Sequence, residues 1–281
     1  MKNIKELENI VQQVRRDILR MVHANNSGHP GGSLGCAEFL TALYFRIMKH
    51  NTAFNMDGIG EDLFFLSNGH ISPVFYSVLS RIGYFDIKEL SSFRKINSRL
   101  QGHPTPYEGL EGVRMASGSL GQGLSVSIGA AITKKLNNDP NIVYTLHGDG
   151  ELQEGQVWEA LMYASANKVD NLIVTIDYNK KQIDGSLDDV LTIGNLSKKL
   201  EAFDWIVLEE KNGNNIASVI DILELAISKT KKQKPVAIIL HTEMGNGVDF
   251  MMGTHKWHGS APNDDQLEIA LSQNTETLGD Y

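Results

Sequence analysis

Asp149 stands between Gly148 and Gly150, after an apolar run at 142–146 and before a segment that reads as a helix from near Gln156. The two glycines let the backbone turn sharply and approach a ligand closely, and the carboxylate offers a hard oxygen at the rim of the turn. That combination suits magnesium, which prefers octahedral oxygen coordination and is held by one or two protein carboxylates together with phosphate oxygens. A second ligand is then expected at a neighbouring strand end. Asn179, roughly thirty residues further on and just past the next apolar run, fits that role. Gly-Asp-Gly alone is common in loops, where the aspartate only stabilises a turn; the partner at Asn179 favours the metal reading.

Four apolar runs at 142–146, 172–176, 205–208 and 236–240 read as the buried parallel strands that position these residues, with enough chain between them for crossover helices. Three of the runs end in polar sequence: His147-Gly148-Asp149-Gly150, Asp177-Tyr178-Asn179 and His241-Thr242-Glu243-Met244-Gly245. Ligands of open α/β sheets sit at the carboxyl ends of strands, so these three ends point at one crevice. Ile4, Leu7, Val11, Val14 and Ile18 mark one amphipathic helix that ends near Asn25-Asn26-Ser27-Gly28. Segment 37–48 reads as a second helix, and 121–136, with its small residues Gly129, Ala130 and Ala131, as a tightly packed one. The fold class predicted is α/β, a doubly wound, mostly parallel sheet flanked by helices, with residues 1–281 forming one domain. The tail after Pro262 is polar and peripheral.

Hydrophobic residues make up 41% and charged residues 21% of the 281, the usage of an ordinary globular protein. A formal charge of −8 argues against a nucleic-acid-binding surface. Cys36 is the single cysteine, so no internal disulfide forms and a reducing compartment, the cytoplasm, is the expected setting. The first twenty residues hold no continuous apolar core, so neither a signal peptide nor a membrane span is expected there.

The run Gly148-Asp149-Gly150-Glu151-Leu152-Gln153-Glu154-Gly155, completed by Asn179 and Asp184-Gly185, resembles the thiamine diphosphate motif of transketolases. Further blocks are similar to the same family: Ser27-Gly28-His29-Pro30-Gly31-Gly32-Ser33-Leu34-Gly35, Ser67-Asn68-Gly69-His70, Gly102-His103-Pro104, Ser117-Gly118-Ser119-Leu120-Gly121-Gln122-Gly123 and Gly253-Thr254-His255-Lys256-Trp257-His258-Gly259. They occur in family order from about Arg15 to about Pro262.

The resemblance implies roles residue by residue. Asp149, Asn179 and the backbone carbonyl of Lys181 match the ligands of Mg2+, or of Ca2+ or Mn2+ in its place. His70, Gly118, Ser119, Leu120, Gly150, Asn179 and His258 match positions that bind thiamine diphosphate. His29, His103 and His258 match histidines around the reactive carbon and the substrate hydroxyls. Glu154 and Glu159 match glutamates at the interface between subunits. Ketol transfer moves protons on and off hydroxyls and carbonyls near neutral pH, for which imidazole has a suitable pKa, so four histidines in one pocket make chemical sense. A lone histidine is more often a satisfied structural residue, and His23, His50, His147, His241 and His255 read that way. A zinc site is the weaker rival, since none of the histidines has sequence-local ligand spacing.

Full-length transketolases resemble this chain only over their first part. The pyrimidine-binding domain, whose glutamate assists cofactor activation, and the C-terminal domain are absent, and the resemblance implies that a C-terminal transketolase subunit supplies them, in an α2β2 heterotetramer. The expected function is the N-terminal half of a transketolase acting on sugar phosphates. Alternatives are a related enzyme half using another donor, as in deoxyxylulose phosphate synthase or with a branched or sulfonated ketose phosphate, and a non-catalytic scaffold subunit. One departure is Met244, where many relatives carry lysine, so a cation that could contact cofactor or substrate is missing at that position.

Overall fold

A computed structural model of the chain describes residues 2–281. Three of the four apolar runs become strands that are buried nearly throughout, while the remaining one, at 205–208 on the sheet edge, is half-buried. Five strands, β1 (Leu63–Leu66), β2 (Val143–Gly148), β3 (Leu172–Tyr178), β4 (Ile206–Glu210) and β5 (Val236–His241), pair in parallel in the order β1-β2-β3-β5-β4. Successive side chains of a strand point to opposite faces, so alternate residues enter two different cores. Tyr144, Leu146, Ile173, Ile238 and Leu240 join the core that holds α1 (Ile4–Ala24), α2 (Pro30–Gly35), α3 (Ala37–Ala42), α4 (Ser72–Ile82) and the helix Ile216–Lys229. Val143, Leu172, Val174, Ile176, Ala237 and Ile239 join the core beneath α5 (Gly123–Leu136) and α6 (Gly155–Ala166). A sheet covered on both sides leaves no face for polar residues, which is why the runs are apolar nearly throughout.

The helices follow local rules. Asn3 accepts from Glu6 N while the Glu6 carboxylate accepts from Asn3 N, a capping box that satisfies two otherwise orphaned donors of α1 and contributes about 1 kcal/mol. The helix expected over 37–48 is α-helical only to Ala42. Leu43–Ile47 continues with wider π turns, closed by Met48 N donating to Leu43 O at 2.8 Å. This placement sets the Tyr44 ring among Phe64, Phe75 and Tyr84. Strand β1 is one element that the sequence pattern missed, and the short antiparallel hairpin of Lys181–Gln182 with Gly185–Ser186 is another. Four consecutive apolar residues carry no period of their own, and only pairing of Leu63–Leu66 with Val143–Leu146 makes them a strand.

Strand polarity positions the site. The carboxyl ends of β1, β2, β3 and β5 lie side by side, followed respectively by Asn68–His70, Asp149–Gly150, Asn179–Lys181 and Thr242–Met244. Among the described residues no helix is long and apolar enough to cross a membrane.

Candidate functional site

Above these strand ends lies a cleft of about 340 Å³. Glycines let its loops meet. Gly31 N donates to Trp257 O at 3.0 Å, and Gly245 N donates to Gly31 O at 2.9 Å. A Cβ at position 31 would lie 2.6 Å from Met244 Cγ and 2.8 Å from Trp257 O, so only glycine allows this three-way approach. The result is that His29, at the start of α2, faces His258 with ring centroids 5.7 Å apart. His70 enters from the 3-10 turn that leads into α4 and lies 5.1 Å from His29 and 5.0 Å from His258, stacked on the latter. His103 completes the group, 6.3 Å from His29.

Crowding sets the charge of this group. Burial first, then repulsion from His258, Arg94 and His103, lowers His29 to about 4. Burial, followed by the neighbouring imidazoles, also pulls His70 well down, and burial is the largest cause of the downward shifts of His103 and His258. At neutral pH all four are uncharged imidazoles, each able to donate one proton and accept another. The Nδ1 atoms of His29 and His258 are buried without a hydrogen-bond partner, as are Asn68 Oδ1 and Gln182 Oε1 on the same cleft wall. Unsatisfied polar atoms at such density call for a polar ligand.

At the floor, Asp149 is 1% exposed and accepts from the backbone N–H groups of Gly150 and Lys180. Asp177, 2% exposed, accepts from Asn179 Nδ2 at 2.9 Å and from the Thr242 hydroxyl. Asn179 Oδ1 accepts from Lys181 N at 2.9 Å, which fixes which end of the amide faces the strand. Burial, then the neighbouring Asp177, pushes the Asp149 carboxyl up to about 8. Two carboxyl groups this deep are ionised together only beside a cation, and an Asp oxygen with an amide oxygen and a backbone carbonyl is the hard-oxygen set that magnesium takes. Among the described residues no group of three His, Cys, Asp or Glu side chains could hold a metal ion, so the histidines do not form a zinc cage. The residues present therefore fit magnesium and a diphosphate bound beside it.

The structure gathers most of the predicted positions in this cleft. His29, His70, His103, Gly118, Leu120, Asp149, Gly150, Glu154, Asn179, Lys181 and His258 all line it. Ser119 is exposed next to the lining rather than in it, and Glu159 lies on the outer face of α6, away from the cleft. The five histidines set aside lie outside: His23 on Asp264, His50 on Tyr84, His147 on Thr145 beneath the sheet end, His241 on Glu209, and His255 one turn before His258.

Sequence reasoning passed over several contributors. Glu151, 2% exposed, accepts from Gly121 N at 2.8 Å, from Gly148 N at 3.1 Å and from the Ser67 hydroxyl, so one carboxylate ties together three cleft loops. Burial raises its pKa, but His147 and these hydrogen bonds outweigh that and hold it below the usual range. A glutamate two residues after Asp149 looks solvated in sequence, and nothing there announces its burial. Asp177 could have been found, since a charged residue inside a parallel strand run is unusual. Met244 is buried against Gly31, while the ammonium of Lys181 reaches the same wall, 2.8 Å from Glu243 Oε1.

Comparison with known proteins gives the family. Residues 7–276 match the family described as "Transketolase, thiamine diphosphate binding domain". The chain is 38% identical over 270 residues to an apulose-4-phosphate transketolase subunit of Actinobacillus succinogenes, covering 95% of each chain. It is 35% identical over 271 residues to the 6-deoxy-6-sulfo-D-fructose transketolase subunit SqwG of a Clostridium species, covering 95% of this chain and 96% of that one. Among solved structures, transketolase from Leishmania mexicana superposes with a TM-score of 0.88 at 30% identity, over 99% of this chain and 42% of its own. The chain thus spans about two-fifths of that longer transketolase and nearly the whole of the two shorter relatives.

Proposed function

The chain belongs to the transketolase family as its thiamine diphosphate-binding domain, and on that footing we propose that it is the N-terminal subunit of a heteromeric transketolase. With a partner bearing the pyrimidine-binding and C-terminal domains, it transfers a two-carbon ketol unit from a ketose phosphate to an aldose phosphate. The observation that carries this reading is the meeting of four neutral histidines with the buried Asp149 and the half-buried Asn179 in one cleft. Two relatives of almost equal length, each named as one subunit of a transketolase, support the split arrangement.

Asp149, Asn179 and the Lys181 carbonyl would hold Mg2+, whose charge would offset that of a diphosphate, and Gly118, Ser119, Leu120, Gly150 and His70 would receive the cofactor. Thiamine diphosphate, when bound, supplies the carbanion chemistry and carries the two-carbon fragment. The protein orients, protonates and excludes water. His29, His103 and His258 line the cleft where substrate would meet the cofactor, and their depressed pKa values keep them neutral, so that each can take a proton from a hydroxyl and, once protonated, return it to a carbonyl oxygen. Glu154 and Glu159 would meet other subunits, a reading supported by the exposed apolar Met162 and Tyr163, which follow Glu159 by three and four positions on α6. The assembly is an α2β2 heterotetramer, working in the cytoplasm.

A second reading concerns the donor alone. The Actinobacillus and Clostridium relatives are named for apulose 4-phosphate and 6-deoxy-6-sulfo-D-fructose, so a branched or sulfonated ketose is the alternative substrate. Titrating the purified chain with thiamine diphosphate, with and without Mg2+, and following near-UV dichroism tests the core of the proposal. Metal-dependent binding is expected; no binding at millimolar cofactor contradicts it.

A further inference from the structure

Lys181 is the single lysine or arginine among the described residues that line the cleft, which also include Asp149, Glu151, Glu154 and Asp177. The four histidines there are neutral at pH 7 because burial lowers their pKa values. Apart from a bound metal, the ammonium of Lys181 is therefore the one full positive charge among these lining residues. Its side chain is 18% exposed, and its Nζ lies 2.8 Å from Glu243 Oε1. That same oxygen accepts from Gly253 N at 2.8 Å, and Glu243 N donates to Asn214 Oδ1 at 2.7 Å, so the glutamate keeps its place whether or not the lysine stays on it.

We propose that the Lys181 ammonium is a direct ligand of the magnesium-bound diphosphate, delivered from the strand end beside the metal in place of a cation at position 244, and that Glu243 holds it at the wall until the diphosphate enters. The proposal rests on the cofactor reading above. It follows from charge: the oxygens of a diphosphate ester with one Mg2+ stay negative, and placing them in a cleft that also holds the buried Asp149, Glu151 and Asp177 favours a further cation beside them. Lys181 occupies the position for it, next to Asn179 and Asp149 in the cleft. Its backbone carbonyl and its ammonium would then act on the same ligand from two sides. The ion pair with Glu243 is only partly buried and is weak enough to be exchanged for a doubly charged oxygen cluster.

The test measures thiamine diphosphate affinity of the full chain in saturating Mg2+ by calorimetry, for Lys181→Met, Lys181→Arg and Glu243→Gln beside the unaltered protein. Lys181→Met, which keeps the stem and the backbone, is expected to weaken binding about tenfold or more, the loss of one charge-assisted hydrogen bond. Lys181→Arg is expected to restore most of it, and Glu243→Gln, which removes the competing carboxylate, to leave affinity equal or raise it. Unchanged affinity in Lys181→Met overturns the proposal. Equal losses in Lys181→Met and Glu243→Gln, with no rescue by arginine, overturn it too, because the pair is then a structural latch. Absence of binding by the unaltered chain instead removes the cofactor reading itself.

Discussion

The metal-free chain is expected to lose stability between pH 6.5 and 8 relative to an Asp149→Asn variant, and the cause is the Asp149 carboxyl. This carboxyl is 1% exposed and its pKa rises from 3.8 to about 8, through burial and the adjacent Asp177. A folded-state pKa above the unfolded value means that the native chain binds more protons between the two, so stability falls as pH climbs through that window and levels off above about pH 8. Integrated from pH 6.5 to 8 at 1.36 kcal/mol per unit, the loss from this one group is about 1.6 kcal/mol. For a chain of this size that lowers the melting temperature by about 3–6 °C. The cleft histidines act in the opposite sense: His29, depressed to about 4, adds stability as pH rises through the unfolded value near 6.5, with about 0.4 kcal/mol of that gain still to come above pH 6.5, so the fall due to Asp149 is read against a variant that keeps the histidines. Asp177 and Glu38, also raised by burial, add to the fall with the same sign. The assay is a melting series on chelator-treated protein at half-unit pH steps, repeated with Mg2+ and thiamine diphosphate and with Asp149→Asn. Between pH 6.5 and 8 the metal-free chain is expected to fall by about 1.6 kcal/mol relative to Asp149→Asn, and the loaded protein to follow the variant. A metal-free series that does not fall relative to the variant refutes the reasoning.

Asp149→Ala is expected to abolish magnesium-dependent thiamine diphosphate binding with native far-UV dichroism, while Asn179→Ala weakens it less, because a neutral oxygen gives a divalent ion less than a carboxylate does; equilibrium titration of both variants checks the order. His103→Ala is expected to lower turnover or raise KM for the donor with cofactor affinity nearly unchanged, whereas His70→Ala lowers cofactor affinity. Steady-state kinetics of the reconstituted complex together with cofactor titration separate the two, and identical profiles would show that the histidines are wrongly divided.

Much of this site was legible because the chemistry sits at strand ends. Apolar runs announce buried parallel strands, and the polar residues that end them, Asp149 and Asn179 among them, have few other reasons to interrupt the pattern. What stayed hidden depends on tertiary contact. Leu63–Leu66 becomes a strand only beside β2, and without it the sequence pattern lacks the element that carries Asn68 and His70 to the cleft. Glu151 has the sequence context of a solvated helix residue, and its burial follows from Gly121, Gly148 and Ser67 arriving from three loops. The ammonium of Lys181 is hidden in the same way: the motif marks that position for a backbone carbonyl, and the family pattern places its lysine at 244. A side chain about 6 Å long can serve a site from a neighbouring strand end, and sequence position alone does not record that reach.

The central claim is that this chain is one half of a two-chain active site, and reconstitution measures it directly. Ketol transfer from a ketose phosphate donor is assayed for the purified chain, for a C-terminal transketolase subunit, and for both together, each with and without Mg2+ and thiamine diphosphate. A ligand that bridges two subunits stabilises their association, so activity is expected only in the mixture with cofactor, together with a tighter apparent cofactor affinity than the chain shows alone. Robust turnover by the isolated 281-residue chain, with a co-purified partner ruled out by mass spectrometry, would contradict it.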